Sequence, residues 1–290
     1  MNKTRILSAL FFSAFLTGCG TSDEEYVNDR PNPVCPPSTA DHRYIAFSGY
    51  CWEVRKTVKA EAAGPNYYSN DARDVWVDDK GLLHMKISWR DGKWVCTELF
   101  ASGQFGYGTY SFRMAGQIDQ LDRNAVLGLF TWDNNCYVTG ALSEIDVEFG
   151  KWGDVIGKNL QYSVQPTHGP DVAEGWYPER SASSFMSLTE PLSTHVFTWS
   201  PSFISFASYQ GSDIDSGSLI ANWQFLSGNP ARRYDLATLS TPVVIPAPSP
   251  TTTIRLSLWL YDKNKDGAGD PPSNGQEIEV VCDSFDFTPM

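Results

Sequence analysis

From Tyr44 onward the chain is a series of short runs of β-branched and aromatic residues separated by turn residues, and no window of ~12 residues carries a helical period with caps. Val75-Trp76-Val77 is followed by Asp78-Asp79-Lys80-Gly81. Leu82 to Trp89 is followed by Arg90-Asp91-Gly92-Lys93 and then Trp94-Val95-Cys96. Runs joined by Asp-Gly turns are a hairpin signature, because these residues accept the left-handed backbone of a tight turn. Similar runs recur at 107–113, around Ile145, and at 161–165, 196–199, 204–206, 254–259 and 278–281. Pro246, Pro248 and Pro250 mark a long surface loop. Many short strands at modest spacing predict an all-β fold, an antiparallel β-sandwich or jelly roll.

Residues 1–19 read as an export signal. Lys3 and Arg5 give a positive start, and Ile6 to Leu16 is an apolar run of 11 residues, short of the ~20 that span a bilayer as a helix. The run closes on Leu16-Thr17-Gly18-Cys19, which resembles a bacterial lipobox. The expectation is cleavage before Cys19 and acylation of that cysteine, making the membrane a partner through a lipid anchor. Gly20 after Cys19, in place of an acidic residue, favours the outer membrane in a Gram-negative cell. Residues 20–43 are polar and Pro-rich and read as a flexible tether, leaving 44–290 as one domain, expected to be a monomer.

The formal net charge is −12, and losing Lys3 and Arg5 takes it to −14 (−12 − 2). An acidic surface without a basic stripe argues against nucleic acid, which is bound through Lys and Arg contacts to phosphates. Aromatic residues make up 13% of the chain; many serve the strands, but such a ring content also suits a sugar binder. Five cysteines remain after Cys19. In an exported protein one or two disulfides are expected, with no pairing assigned, and no Cys-x-x-Cys spacing suggests zinc.

Ser143 to Phe149 alternates acid with apolar. Successive strand side chains point to opposite faces, so Ile145, Val147 and Phe149 turn to the core while Glu144, Asp146 and Glu148 share the outer face. A solvated face can be acidic, but three like charges repel and Asp and Glu are poor strand formers. A strand needing only polarity would use Thr, Ser or Lys. Four residues at ~3.3 Å put the Cα atoms of Glu144 and Glu148 about 13 Å apart. Side chains leaning together would bring their carboxyls to roughly 5 Å, the separation of a retaining glycosidase. Asp146 between them would couple to one Glu, pushing the pKa values apart so that one carboxyl ionises and another keeps its proton.

Glu144-Ile145-Asp146-Val147-Glu148-Phe149 resembles the active-site motif of glycoside hydrolase family 16, the lichenase, laminarinase and xyloglucan-transglycosylase group. Cys96-Thr97-Glu98 followed by Phe105 to Tyr110 is similar to the strand leading into that family's Tyr-Gly-x-Tyr turn. Leu129-Phe130-Thr131-Trp132, Gln161-Tyr162-Ser163, His195 to Trp199 and Trp259 fall in the family's order, so the resemblance spans about Tyr44 to Pro289. It implies a curved jelly roll of the concanavalin A-like glucanase type, with the motif strand on the concave face and a polysaccharide as partner. Glu144 would be the nucleophile, Glu148 the general acid/base, and Asp146 the residue that tunes the nucleophile. The unbulged Glu-x-Asp-x-Glu spacing resembles lichenases and xyloglucan enzymes, whereas laminarinase-type members carry one extra residue in this strand.

The same resemblance implies sugar contacts at Glu98, Trp132, Gln161 and Trp259. Ser163 stands where the family has a longer amide. Asn66, in Gly64-Pro65-Asn66-Tyr67, and Trp152, three residues after the motif strand, are added as binding candidates. His168 and His195 read as structural, since two carboxylates suffice for retaining chemistry. No catalytic metal or organic cofactor is implied. Asp262-Lys263-Asn264-Lys265-Asp266-Gly267 begins like a calcium loop, but its twelfth position is Ser273 rather than Glu, so an acidic turn is the expectation and structural calcium the alternative. The function expected is a retaining endo-β-glycan hydrolase. The alternatives are a transglycosylase on the same machinery, or a carbohydrate-binding lipoprotein without catalysis.

Overall fold

The computed structural model describes residues 33–103, 105–136, 143–167, 180–226 and 245–290. The front sheet runs in the order β11 (Ser181–Ser184), β10 (Leu160–Val164), β9 (Ile145–Gly150), β8 (Ala125–Asp133), β15 (Thr252–Leu260) and β6 (Lys93–Ser102), with β2 (Tyr50–Val54) and β1 (Arg43–Phe47) beyond β6. The back sheet runs β4 (Val75–Val77), β5 (Leu83–Arg90), β16 (Ile278–Pro289), β7 (Gly108–Ala115), β12 (Leu192–Trp199), β13 (Phe203–Gln210) and β14 (Leu219–Leu226). The β5–β6 hairpin joins the two sheets. Pairing is antiparallel except for the two-residue β3 (Tyr67–Tyr68), which lies parallel to β6. The result is the all-β antiparallel jelly roll expected. No helix among the described residues is long and apolar enough to cross a membrane.

The turns behave as their residues dictate. Asp91 and Gly92, at the tip of the β5–β6 hairpin, have φ of 49° and 79°, the pair of positive values that a twisted two-residue turn needs. Between the sheets, strand parity builds the core. Ile145, Val147 and Phe149 of β9, Leu127 and Leu129 of β8, and Leu256 and Leu258 of β15 are fully buried and face Phe112, Phe197, Phe206 and Phe285 of the back sheet. Tyr162 stacks on Phe206 at 5.0 Å, and Trp52 meets Phe285 edge-on at 5.5 Å. Rings of this size anchor a two-sheet core because each buries a large apolar area.

Cys19 and the export signal lie outside the described residues. Of the expected tether, residues 33–42 carry no regular structure, yet they touch the sheet. Cys35 is disulfide-bonded to Cys51 in β2, Tyr44 N donates to Ser38 Oγ (3.0 Å), and Lys56 Nζ donates to Ala40 O (2.9 Å). β1 starts at Arg43, one residue before the boundary read from the sequence. Cys96 and Cys282 are buried thiols.

Candidate active site

Glu144 immediately precedes β9, whose register across the front sheet lays the outward side chains in transverse rows. Glu148 is opposite Gln161 on β10 and Gly128 on β8, and Gly128 is opposite Ser257 on β15, itself opposite Glu98 on β6. In the next row Asp146 is opposite Ser163 and Phe130, and Arg255 is opposite Phe130 and Phe100. With strands ~4.8 Å apart, Glu98 lies three spacings from Glu148, about 14 Å. Between them lie Ser257 and Gly128, and the Phe130 ring reaches over Gly128, where a Cβ would meet Phe130 Cδ1 at 3.4 Å.

The backbone of Glu144 is clamped on both sides. The Thr131 hydroxyl donates to Ser143 O (2.8 Å) and accepts from Ile145 N (3.1 Å), while Gln165 N donates to Glu144 O (3.0 Å). Gln165 also donates through Nε2 to Asp146 Oδ2 at 3.1 Å. Gln161 Nε2 lies 3.4 Å from Glu148 Oε2 and 3.3 Å from Ser163 Oγ, and its Oε1 accepts from Ser183 Oγ at 3.3 Å. Asp146 and Ser163 are buried, and the Ser163 hydroxyl serves Gln161 from beneath.

All three carboxyls titrate above their ordinary range. Burial is the main cause in each, and a neighbouring carboxyl the next: Glu148 for Glu144, Glu144 for Asp146, and Asp146 for Glu148. The offsets differ. Glu144 is offset downward by the charge of Arg255, and Glu144 and Asp146 share a hydrogen bond. Among the described residues, the long contact from Gln161 favours the ionised form of Glu148.

Beside Glu144 opens a pocket of about 470 Å³ lined by Glu98, Trp132, Phe130, Arg55, Arg255 and the 61–63 turn. Glu98 is 2% exposed and fully engaged: Arg255 Nη1 donates to it at 2.7 Å, Arg55 Nη1 at 3.1 Å and Ser257 Oγ at 3.1 Å. Arg255 also donates to Asn134 Oδ1 (2.8 Å), and its guanidinium lies 5.3 Å from the Phe100 ring and 5.4 Å from the Trp132 ring. A buried Glu between two Arg satisfies its charge locally, so the pocket combines fixed polar groups with aromatic wall.

The sequence-predicted residues thus take different places. Glu144, Glu98 and Trp132 line one pocket, and Gln161 touches Glu148. Trp259 is nearly buried and packs with Trp152 (5.9 Å), which also meets Tyr261 (5.5 Å), forming an aromatic corner past the far end of the strand. Asn66 is buried, and its amide nitrogen is spent on Leu260 O (2.7 Å), Ala63 O (2.9 Å) and Gly64 O (3.2 Å). It holds a turn in place instead of presenting a donor to the pocket. The Asp262 carboxylate closes its own loop by accepting from Asp266 N (3.1 Å) and Gly267 N (3.0 Å), as an acidic turn does. His195 lies in the core under β9, and His168 falls outside the described residues. Arg255, Gln165 and Thr131 were not singled out. For the first two the signal was present: Arg255 shares strand parity with Trp259, and Gln165 with Gln161.

No protein-family model matches the chain, and no curated protein matches it in sequence. Solved structures do match in fold. A prokaryotic β-1,3-1,4-glucanase (lichenase) derived from a mouse hindgut metagenome superposes with a TM-score of 0.51 at 18% identity, covering 88% of this chain and 96% of that one. A Bacillus licheniformis β-glucanase gives 0.54 at 16%, covering 87% and 100%. A Mycobacterium tuberculosis protein described as an immunostimulatory antigen and pseudo β-1,3-glucanase gives 0.54 at 15%, covering 82% and 91%. The fold is the jelly roll of these β-glucanases. At such identities the likeness speaks to fold, and function has to be argued from the site.

Proposed function

We propose that the chain is a retaining endo-β-glycan hydrolase of the glycoside hydrolase family 16 type. One observation carries the reading: three carboxyls share one strand face, Asp146 buried and Glu144 and Glu148 half-buried, each with a different set of partners. Glu148, held above the ordinary carboxylate range by desolvation and by Asp146, is the proton donor. It protonates the glycosidic oxygen while Glu144 attacks the anomeric carbon; the bond to the leaving sugar breaks and a glycosyl ester forms on Glu144. Water then attacks the same carbon, gives its proton to Glu148, and releases Glu144 as carboxylate. Asp146 keeps its hydrogen bond with Glu144, and Arg255 supplies the counter-charge. The pocket beside Glu98 and Trp132 takes the sugar units on one side of the cut. A sugar hydroxyl in place of water would make the same cycle a transglycosylation.

The test is reducing-sugar release from mixed-linkage glucan, xyloglucan, laminarin, agar and carrageenan, comparing wild type with Glu144→Ala and Glu148→Ala. Release lost in both variants supports the reading. The neighbour described as a pseudo β-1,3-glucanase gives the non-catalytic alternative a specific basis, and that alternative gains if wild type binds a polymer of the panel without cutting it. We further propose, from Leu16-Thr17-Gly18-Cys19, that the protein is exported and lipid-anchored. Cys19→Ser should move it from the membrane to the soluble fraction.

A further inference from the structure

The molecule carries aromatic surface that the proposed cycle does not use. At the end of the β5–β6 hairpin, Trp89 and Trp94 are cross-strand partners whose rings meet edge to face at 5.5 Å. Trp89 is 52% exposed. With Pro65, Tyr67, Asp266 and Asp270 they border a groove of about 380 Å³. The Lys93 ammonium sits 4.1 Å from the centre of the Tyr67 ring, which occupies that ring and leaves the indoles as the stacking surface.

This groove adjoins the pocket beside Glu144. Glu61, Ala62 and Ala63 line the pocket, whereas Ala60, Pro65 and Asn66 line the groove. Residues of the 61–66 turn thus border both. That turn is closed by Glu61 N to Asn66 O and Asn66 N to Glu61 O, both 2.9 Å. It is tied down by Asn66 Nδ2 on Leu260 O and by Gly269 N on Pro65 O (3.2 Å). Gly64 sits at φ +50°, where a Cβ would come within 2.5 Å of Leu260 O. Groove and pocket are therefore fixed relative to one another by a narrow, rigid wall.

We infer that the Trp89–Trp94 groove is an auxiliary binding site for the glycan chain that occupies the cleft, engaging it beyond the 61–66 wall. The choice of ligand rests on the hydrolase reading. The chemistry fits a pyranose polymer: indole faces stack on sugar C–H faces, carboxylate oxygens at the rim accept from hydroxyls, and Lys93 against Asp266 and Asp270 leaves no single-sign field that would select a polyanion.

The test uses the full chain carrying Glu144→Gln, to stop turnover, retarded in native gels that contain each polymer of the panel. With the retarding polymer, adding Trp89→Ala should weaken apparent affinity on the order of tenfold, and Trp89→Phe should restore most of it. In the active enzyme Trp89→Ala should raise KM on the polymer with kcat unchanged, and leave cleavage of a short oligosaccharide of the same linkage untouched. Retardation indifferent to Trp89, or absent with every polymer, overturns the site. So does a concentration-dependent dimer lost in Trp89→Ala without polymer binding, which would make the groove a self-contact. Cleavage with Trp89-independent retardation sinks the auxiliary site and leaves the hydrolase reading standing. Trp89-dependent retardation without cleavage does the reverse.

Discussion

Strand β9 separates two titratable environments built on opposite principles. On its inner side His195 is fully buried against Phe149, ring centroids 4.6 Å apart, with Nδ1 and Nε2 bonded to Ser208 Oγ (2.8 Å) and Ser193 Oγ (2.9 Å). Each ring nitrogen has a hydroxyl that can complement it, so the neutral ring is satisfied, and burial pushes its pKa down to about 3. On the outer side Glu144, Asp146 and Glu148 crowd one another, and burial pushes them the opposite way. Burial alone therefore does not mark a site. A buried group matched by its neighbours is architecture, whereas like groups crowded on one face are poised to exchange protons.

The strongest way to break this contrast is to remove carboxyls. Glu148→Ala should lower kcat on the cleaved polymer by about 10²–10⁴-fold, and Glu144→Ala by at least as much, without loss of folded protein by circular dichroism. If His195→Gln cost as much turnover, with its stability loss allowed for, the division into architecture and chemistry would be wrong. Next in size is Arg255→Gln. Arg255 draws Glu144 downward, so its loss should raise the acidic limb of the pH–rate profile by about one unit and cut activity at pH 6 about tenfold. Arg255→Lys should hold the limb nearer its original place. A purely structural arginine would lower Tm and leave the limb where it was.

Two smaller effects follow from linkage, with opposite signs on the two sides of the strand. The His195 pKa is depressed in the folded state, so its contribution is full above the unfolded value of ~6.5 and is lost toward pH 3, at up to ~1.4 kcal/mol per pH unit. The His195→Gln variant, which cannot titrate, should show a flatter acid limb of Tm. Glu148 is raised in the folded state, so stability falls as pH climbs from the unfolded value of ~4.3. Glu148→Gln should accordingly raise Tm at pH 7 by about 2–4 °C, a gain that vanishes below about pH 4. Calorimetry across that range checks both signs.

The legible parts of the molecule were those governed by short-range rules. Alternation put Ile145, Val147 and Phe149 inside and Glu144, Asp146 and Glu148 on one face, and Asp91-Gly92 announced its turn. Harder to read was anything decided by which strand lies beside which. β15 enters between β8 and β6 from more than a hundred residues downstream, and only that placement sets Arg255 against Phe100, Trp132 and Glu98. Parity with Trp259 pointed Arg255 at the same face but could not supply its partners. Asn66 shows the converse: a polar residue in a Gly-Pro turn looked available for a ligand, and the backbone carbonyls that consume its amide belong partly to Leu260. Transverse rows depend on register between distant strands, and a periodicity argument within one strand does not reach that.

The Cys35–Cys51 bond encloses β1 in a loop that begins in the segment before it and ends in β2. Mechanically, this reroutes load. Tension applied to the chain ahead of Cys35 passes through sulfur into Cys51 and is borne by β2, which is paired with both β1 and β6. The edge strand is bypassed and cannot be unzipped from its N-terminal end by pulling. The link works as a strain relief, like the knot inside a plug that keeps a tug on the cord away from the contacts.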